Sequence, residues 1–255
     1  MADETADERW ERLSQDRVDR PLPKKFYTLA SVTEDLAIAL DGRPVKTPLK
    51  ARLVLPGRAL AEAVAREWNA QVDVINPALM PLTRLANTAL DRAGPERAYV
   101  ARQIAEFAGS DLVCYRADAP YRLVELQVAK WDPVLDWAKA RWGAEFRTAR
   151  GILHVQQSQE AIAAVQSHVA GLDAFRLTVA HNLTTLTGSA LLALMLVEGS
   201  IAGEEAWVAA HVDEDFQIAQ WGEDIEAERR RANRHRDFEA SLRFLNLLSS
   251  DSTQP

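Results

Sequence analysis

A chain of 255 residues, 47% apolar and 26% charged, is long enough to bury a sizeable core and spans the range of one large or two small domains. Its formal net charge of −7 leaves no surplus of cations to neutralise phosphates, which argues against nucleic acid as a partner. The single cysteine, Cys114, excludes an intrachain disulfide and a thiolate metal cage, and the longest apolar run, Ala190 to Val197, is far shorter than the roughly 20 residues that cross a bilayer, so membrane insertion is not expected.

Residues 1–23 read as a flexible arm rich in acids such as Asp3, Glu4, Asp7 and Glu8. The start of the chain lacks the apolar stretch of a secretory signal and is too acidic for a mitochondrial transit peptide, so a bacterial cytoplasmic protein is expected. From Lys24 to Pro56 the pattern has period two. Leu36, Ile38 and Leu40 line one face of a strand, Asp41-Gly42 supplies a tight turn, and Val45 and Thr47 return, with Pro44 and Pro48 keeping that strand short or at an edge. Phe26 to Leu29 and Leu53 to Leu55 are further strand candidates. After Gly57 the period becomes helical, with Leu60, Val64 and Trp68 four apart until Asn76-Pro77. A second helix is expected after Pro81 and a third over about Pro95 to Ala108, ended by Gly109.

Leu112 to Tyr115 is apolar without a clear period. From Tyr121 the pattern is helical, with Asp132-Pro133 either restarting or kinking the helix and Leu135, Ala138 and Trp142 on its apolar stripe. Phe146 to Val155 reads as a loop or a short strand pair around Gly151. Five helices follow, at about 158–170, 172–186, 188–198, 203–221 and 224–248, punctuated by Gly171, Gly188, Gly199 and Gly222. The fold class is therefore α+β: a small antiparallel β unit with covering helices over 24–115, then a larger, mostly helical domain over 116–255.

The sequence offers little for bond-making chemistry. No phosphate-binding glycine loop is present, and His154, His168, His181, His211 and His235 never take the i, i+4 spacing of a helical zinc site. Ser189 reads as a helix N-cap rather than a nucleophile. Asp213, Glu214 and Asp215 point about 100° apart on a helix and do not converge on one cation, so no cofactor or metal is expected. The same segment does carry a polar row beside the apolar stripe of Val208, Val212, Phe216 and Ala219: Asp213, Gln217 and either Gln220 or Trp221. Acid, amide and aromatic together suit a partner surface. Of the seven tryptophans, Trp68, Trp137 and Trp142 sit on apolar stripes, whereas Trp10, Trp131, Trp207 and Trp221 are free to be interface anchors. Phe26 and Tyr27 are expected to be half-exposed at the entry to the first strand.

An ordered set of segments resembles the assembly chaperones that bind the alpha subunit of F-type ATP synthase. These are Lys25-Phe26-Tyr27, Leu40 to Pro48, Glu67-Trp68, Met80 to Asp91, Asp111-Leu112 with Tyr115, Trp131-Asp132-Pro133, and Asp213 to Gln217 followed by Trp221-Gly222. The resemblance spans Lys24 to Glu239. It implies an α+β unit with a helical domain, no nucleotide site, and a chaperone that shields an unassembled alpha subunit until the beta subunit replaces it. It also implies an essential acid at Asp213 or Glu214. Partner contacts are assigned to Asp213, Glu214, Gln217, Trp221, Phe26 and Tyr27, with Arg84 and Asn87 from the matching helix. Two other readings compete: a carboxylate- or metal-dependent hydrolase using Asp111, Asp213 and Glu214, and a regulatory module that binds assembled ATP synthase.

Overall fold

Alternating apolar residues and one two-residue turn build the N-terminal sheet. A computed structural model describes residues 21–151, 154–222 and 224–250; the expected arm falls almost wholly outside them, as does Trp10. Strands β1 (Ala30–Val32), β2 (Ile38–Leu40) and β3 (Arg43–Pro44) form an antiparallel sheet in that order. Asp41 and Gly42 both take positive φ, as a tight hairpin turn requires. The Asp41 carboxylate then accepts from the Thr28 and Leu29 amides and ties the turn to the chain before β1. Pairing is more broken than the sequence predicts. Phe26 to Leu29 lie outside a strand, Leu36 sits at positive φ in a turn, and Val54 and Arg52 make only isolated bridges. All of β2 is buried, Ala39 included, because the sheet is covered on both faces.

Helix α1 (Arg58–Asn69) lies over this sheet and buries Leu60, Ala61 and Val64. Its last residue closes the sheet edge: the Asn69 amide accepts from Ala30 N and donates to Ala30 O, both at 2.8 Å, in place of a neighbouring strand. Glu67, two residues earlier, accepts from the Leu82 and Thr83 amides and the Thr83 hydroxyl. It thereby caps helix α2 (Pro81–Thr88), which starts with proline and has no cap of its own. Burial raises the pKa of Glu67 while these donors oppose the shift. A π-helical turn, Ala89–Ala93, extends α2 and places Asp91 against the Thr47 hydroxyl and the Leu49 amide. Helix α3 (Arg97–Ala108) follows.

A 3-10 turn, Leu112–Cys114, leads into β4 (Tyr115–Arg116), which pairs in parallel with β5 (Ala149–Arg150). The short strand expected near Gly151 is present, but its partner lies more than 30 residues upstream rather than across the glycine. Helix α4 (Tyr121–Trp142) runs unbroken through Pro133 and stops at Gly143 in the left-handed region. Helices α5 (Gln159–Ala170), α6 (Ala174–Thr187), α7 (Ala190–Val197), α8 (Gly203–Ala210), α9 (Val212–Trp221) and α10 (Ile225–Ser250) complete the chain. Ser189 is the N-cap of α7, accepting from Leu192 N. The expected single helix over 203–221 is two helices, because His211 leaves the helical region at φ −118°, ψ 18°.

The core is continuous from Tyr27 to Leu248. Helix α7 is buried along almost its whole length, packed on α6 and reached by α3 and α4. The C-terminal half of α10 packs on α1, α2 and α6, so the last helix is held by the N-terminal elements. Its N-terminal half is different: no side chain of α10 before Phe238 is buried.

Candidate functional site

The predicted contact residues separate into three places. Asp213, Glu214, Gln217 and Trp221 lie on α9. Phe26 and Tyr27 lie at the β unit, and Arg84 and Asn87 line a hollow between α2 and α10.

On α9 the three acids turn out to be engaged inside the molecule. Asp213 accepts from Gln127 Nε2 at 2.7 Å. Gln127, buried on α4, also accepts from the Ala117 amide, and its carbonyl accepts from Arg116. Arg116 is buried over the Trp131 ring and ion-paired with Asp132 at 2.8 Å. The Trp131 indole in turn donates to Ala209 O at the end of α8. One polar chain thus fastens β4, α4 and the α8–α9 joint, and Asp213 is its outer end. Glu214 and Asp215 share Arg231 of α10. Glu214 also lies 3.9 Å from His211 Nε2, whose other ring nitrogen is 2.8 Å from Trp207 O. Burial holds the His211 pKa below its usual value, so the joint carries a neutral imidazole near neutral pH.

Beyond these acids α9 is nearly uncovered. Val212 is its only buried residue, and Ala219, expected on the apolar stripe, is exposed. Trp221 is 79% exposed and so is Ile225, on either side of the chain turn at Gly222 (φ +85°). Between α9 and α10 runs a groove of about 630 Å³ lined by Gln217, Ile218, Trp221, Asp224, Glu228 and Arg231, among others. Full burial of a large apolar side chain is worth roughly 1.5–3 kcal/mol. Leaving two of them in water forgoes a share of the ~5–15 kcal/mol that holds a domain together.

At the β unit, Phe26 is 73% exposed beside a hollow of about 590 Å³. Tyr27 is buried rather than half-exposed: its hydroxyl donates to Trp68 O at 2.6 Å and its ring sits against Trp68 and Lys25. It is a core residue, turned inward because the phenol finds a main-chain acceptor at the end of α1. In the α2–α10 hollow, of about 280 Å³, Arg84 donates to Asp237 at 2.7 Å and Asn87 contributes a wall. Trp131 and Trp207, which the sequence left open as anchors, are both in the core.

The carboxylates of the hydrolase reading are not assembled. Asp111 is fully buried and accepts from the Val113 and Leu191 amides, so it caps the 3-10 turn and helps cap α7. Burial raises its pKa from 3.8 to about 6. No group of three potential metal ligands occurs among the described residues. Cys114 is buried beside it, and burial first, then the Asp111 charge, pushes the thiol up to about 12.

Comparison with known proteins identifies the architecture. Residues 24–139 match the family model of the ATP12 chaperone protein. The crystal structure of Atp12 from Paracoccus denitrificans is 40% identical, covering 89% of this chain and 98% of that one, with a TM-score of 0.83. The chain belongs to the ATP12 chaperone family. A variant of the Paracoccus Atp12 in which one aspartate is lysine matches with the same TM-score at 39% identity. Atu1473 from Agrobacterium tumefaciens, proposed to be a chaperone, is 45% identical, covering 92% of this chain and 90% of that one, again at 0.83. The ATP12 family signature in residues 24–139 therefore falls on the part of the chain where Asp41, Glu67, Asp91 and Asp111 hold turns and helix ends.

Sequence reasoning missed the exposed Ile225 at the α9–α10 corner, and Asp224, Glu228 and Arg231 in the lining of its groove. The apolar pair bracketing Gly222 was a local signal for the first of them. The link from Gln127 to Asp213 spans 86 residues and left no local trace.

Proposed function

We propose that this protein is an assembly chaperone of the F-type ATP synthase, which binds the unassembled alpha subunit in the bacterial cytoplasm and keeps it from aggregating until the beta subunit takes over the covered face. It acts by binding alone, through the corner made by α9 and α10. The observation that supports the class is kinship with Atp12 along nine-tenths of the chain. The mode is supported by Trp221 and Ile225, large apolar groups held in water on a well-anchored helix pair. A subunit with an unpaired apolar face is an aggregation hazard, and a chaperone must cover it with an interface small enough for the true partner to displace. A single groove with one aromatic anchor fits that requirement.

Affinity capture from cells tests the reading. Tagged protein should recover alpha subunit without beta or gamma. Recovery of the whole catalytic head would instead make it a regulator of the assembled enzyme, and recovery of no alpha subunit would refute the proposal. Asp213→Lys is a poor probe of contact, because it also breaks the hydrogen bond to Gln127; Trp221→Ala removes an exposed group alone.

A further inference from the structure

We propose that the groove between α9 and α10 receives a basic amphipathic helix of the client, one large apolar side chain seated against Trp221 and Ile218 and its cations on Asp224 and Glu228. This rests on the reading that the protein holds a client subunit and adds what that client must present.

Three observations determine the occupant. The first is shape. Ile218, Ala219 and Ala227 supply apolar lining beside the exposed Trp221, and the volume of about 630 Å³ holds several side chains but not a domain. The second is main-chain supply. Both walls are helices, and neither sheet of the described residues borders the groove, so no strand edge is offered for an added strand. An extended segment would leave its own amides unmatched, whereas a helix satisfies them itself and presents side chains at i, i+3 and i+4.

The third is charge. Glu214, Asp215, Asp224 and Glu228 face one cation in the groove, Arg231, and that guanidinium is taken by Asp215 and Glu214. Asp224 and Glu228 have no ion pair among the described residues. They lie four apart at the start of α10, where like charges repel by about 0.2–0.5 kcal/mol in isolated helices. Asp224 is partly compensated, since its side chain accepts from Ala227 N and sits at a helix N-terminus. Glu228 is not. A lysine or arginine entering beside the apolar anchor would relieve this repulsion, and an acidic segment would add to it.

The test uses the full chain with 5-fluorotryptophan and follows the ¹⁹F resonance of Trp221, assigned by its loss in Trp221→Phe. The probes are two synthetic amphipathic helices of equal length, one of leucine and lysine and one of leucine and glutamate. The lysine helix should shift the Trp221 resonance, with an affinity that falls as salt rises, and the glutamate helix should not. Asp224→Asn with Glu228→Lys keeps the cap at Ala227 and should weaken the lysine helix about tenfold. Equal binding of both helices, absence of any shift, or undiminished binding by the double variant would overturn the inference. Capture of alpha subunit separates this from the broader reading. If the native chain captures it and both the double variant and Trp221→Ala do so equally well, the groove proposal fails and the chaperone stands. If the lysine helix binds as described but no alpha subunit is captured, the groove stands and the client is another protein.

Discussion

Helices α7 and α9 are of similar length and lie close in sequence, yet they meet water in opposite ways. Seven of the eight residues of α7 are buried, whereas α9 buries one of its ten. Helix α7 is capped twice at its N-terminus, by Ser189 and by the buried Asp111, and it is gripped by α3, α4 and α6. Helix α9 is fastened mainly through polar links, Asp213 to Gln127 and Asp215 with Glu214 to Arg231, which hold it in place while leaving its apolar end open. Apolar burial gives stability without direction, and a small number of hydrogen-bonded anchors gives position without burial. A surface that must stay uncovered until a partner arrives needs the second device.

The contrast can be broken most forcefully at α7. Leu192→Ala should cost about 3 kcal/mol in urea unfolding, as deletions in a closely packed core do, and should impair capture only through loss of folded protein. Trp221→Ala should do the reverse. Unfolding should stay within about 0.5 kcal/mol of the native chain, while affinity for the alpha subunit drops by about 2 kcal/mol in titration calorimetry. A Trp221 variant that unfolds early would show that the corner is structural after all.

Acid sharpens the comparison in a graded way. His168, His181 and His211 have pKa values lowered by burial. Stability from keeping them neutral is present above their unfolded pKa of about 6.5 and is lost as pH falls through the folded values. Asp111 has the opposite sign: with a folded pKa raised from 3.8 to about 6, its contribution is complete below 3.8 and lost as pH rises through about 6. Melting temperature should fall between about pH 7 and about pH 5, by less in His211→Gln and by more in Asp111→Asn. Identical slopes in all three chains would contradict these assignments. The smallest effect is expected at Arg84, whose pair with Asp237 is half in water: Arg84→Ala should change unfolding by less than about 1 kcal/mol.

Much of the scaffold was legible because its signals are local. Asp41-Gly42 dictated a hairpin, Leu60, Val64 and their neighbours an amphipathic helix, and Ser189 with the apolar run behind it a capped core helix. What escaped depended on distant partners. Nothing near Tyr27 says that its hydroxyl will find Trp68 O, and nothing near Glu67 says that it will cap a helix 15 residues away. The break at His211 was not legible either: the buried ring is held by Trp207 O and lies tilted against the Trp207 indole. The row on α9 was visible by spacing, but its meaning was not. Its acids are engaged with Gln127 and Arg231, and the groove's carboxylates without an ion pair lie across the Gly222 turn at the start of α10, in a stretch of acids followed by bases that reads as an ordinary solvated face.

Hydrogen exchange on the complex with purified alpha subunit addresses the central claim most directly. Protection should appear in the amides from Gln217 to Arg231 and leave the chain around Phe26 and the α2–α10 hollow unchanged. Protection confined to either of those two places, with the α9–α10 corner exchanging as in the free protein, would contradict it.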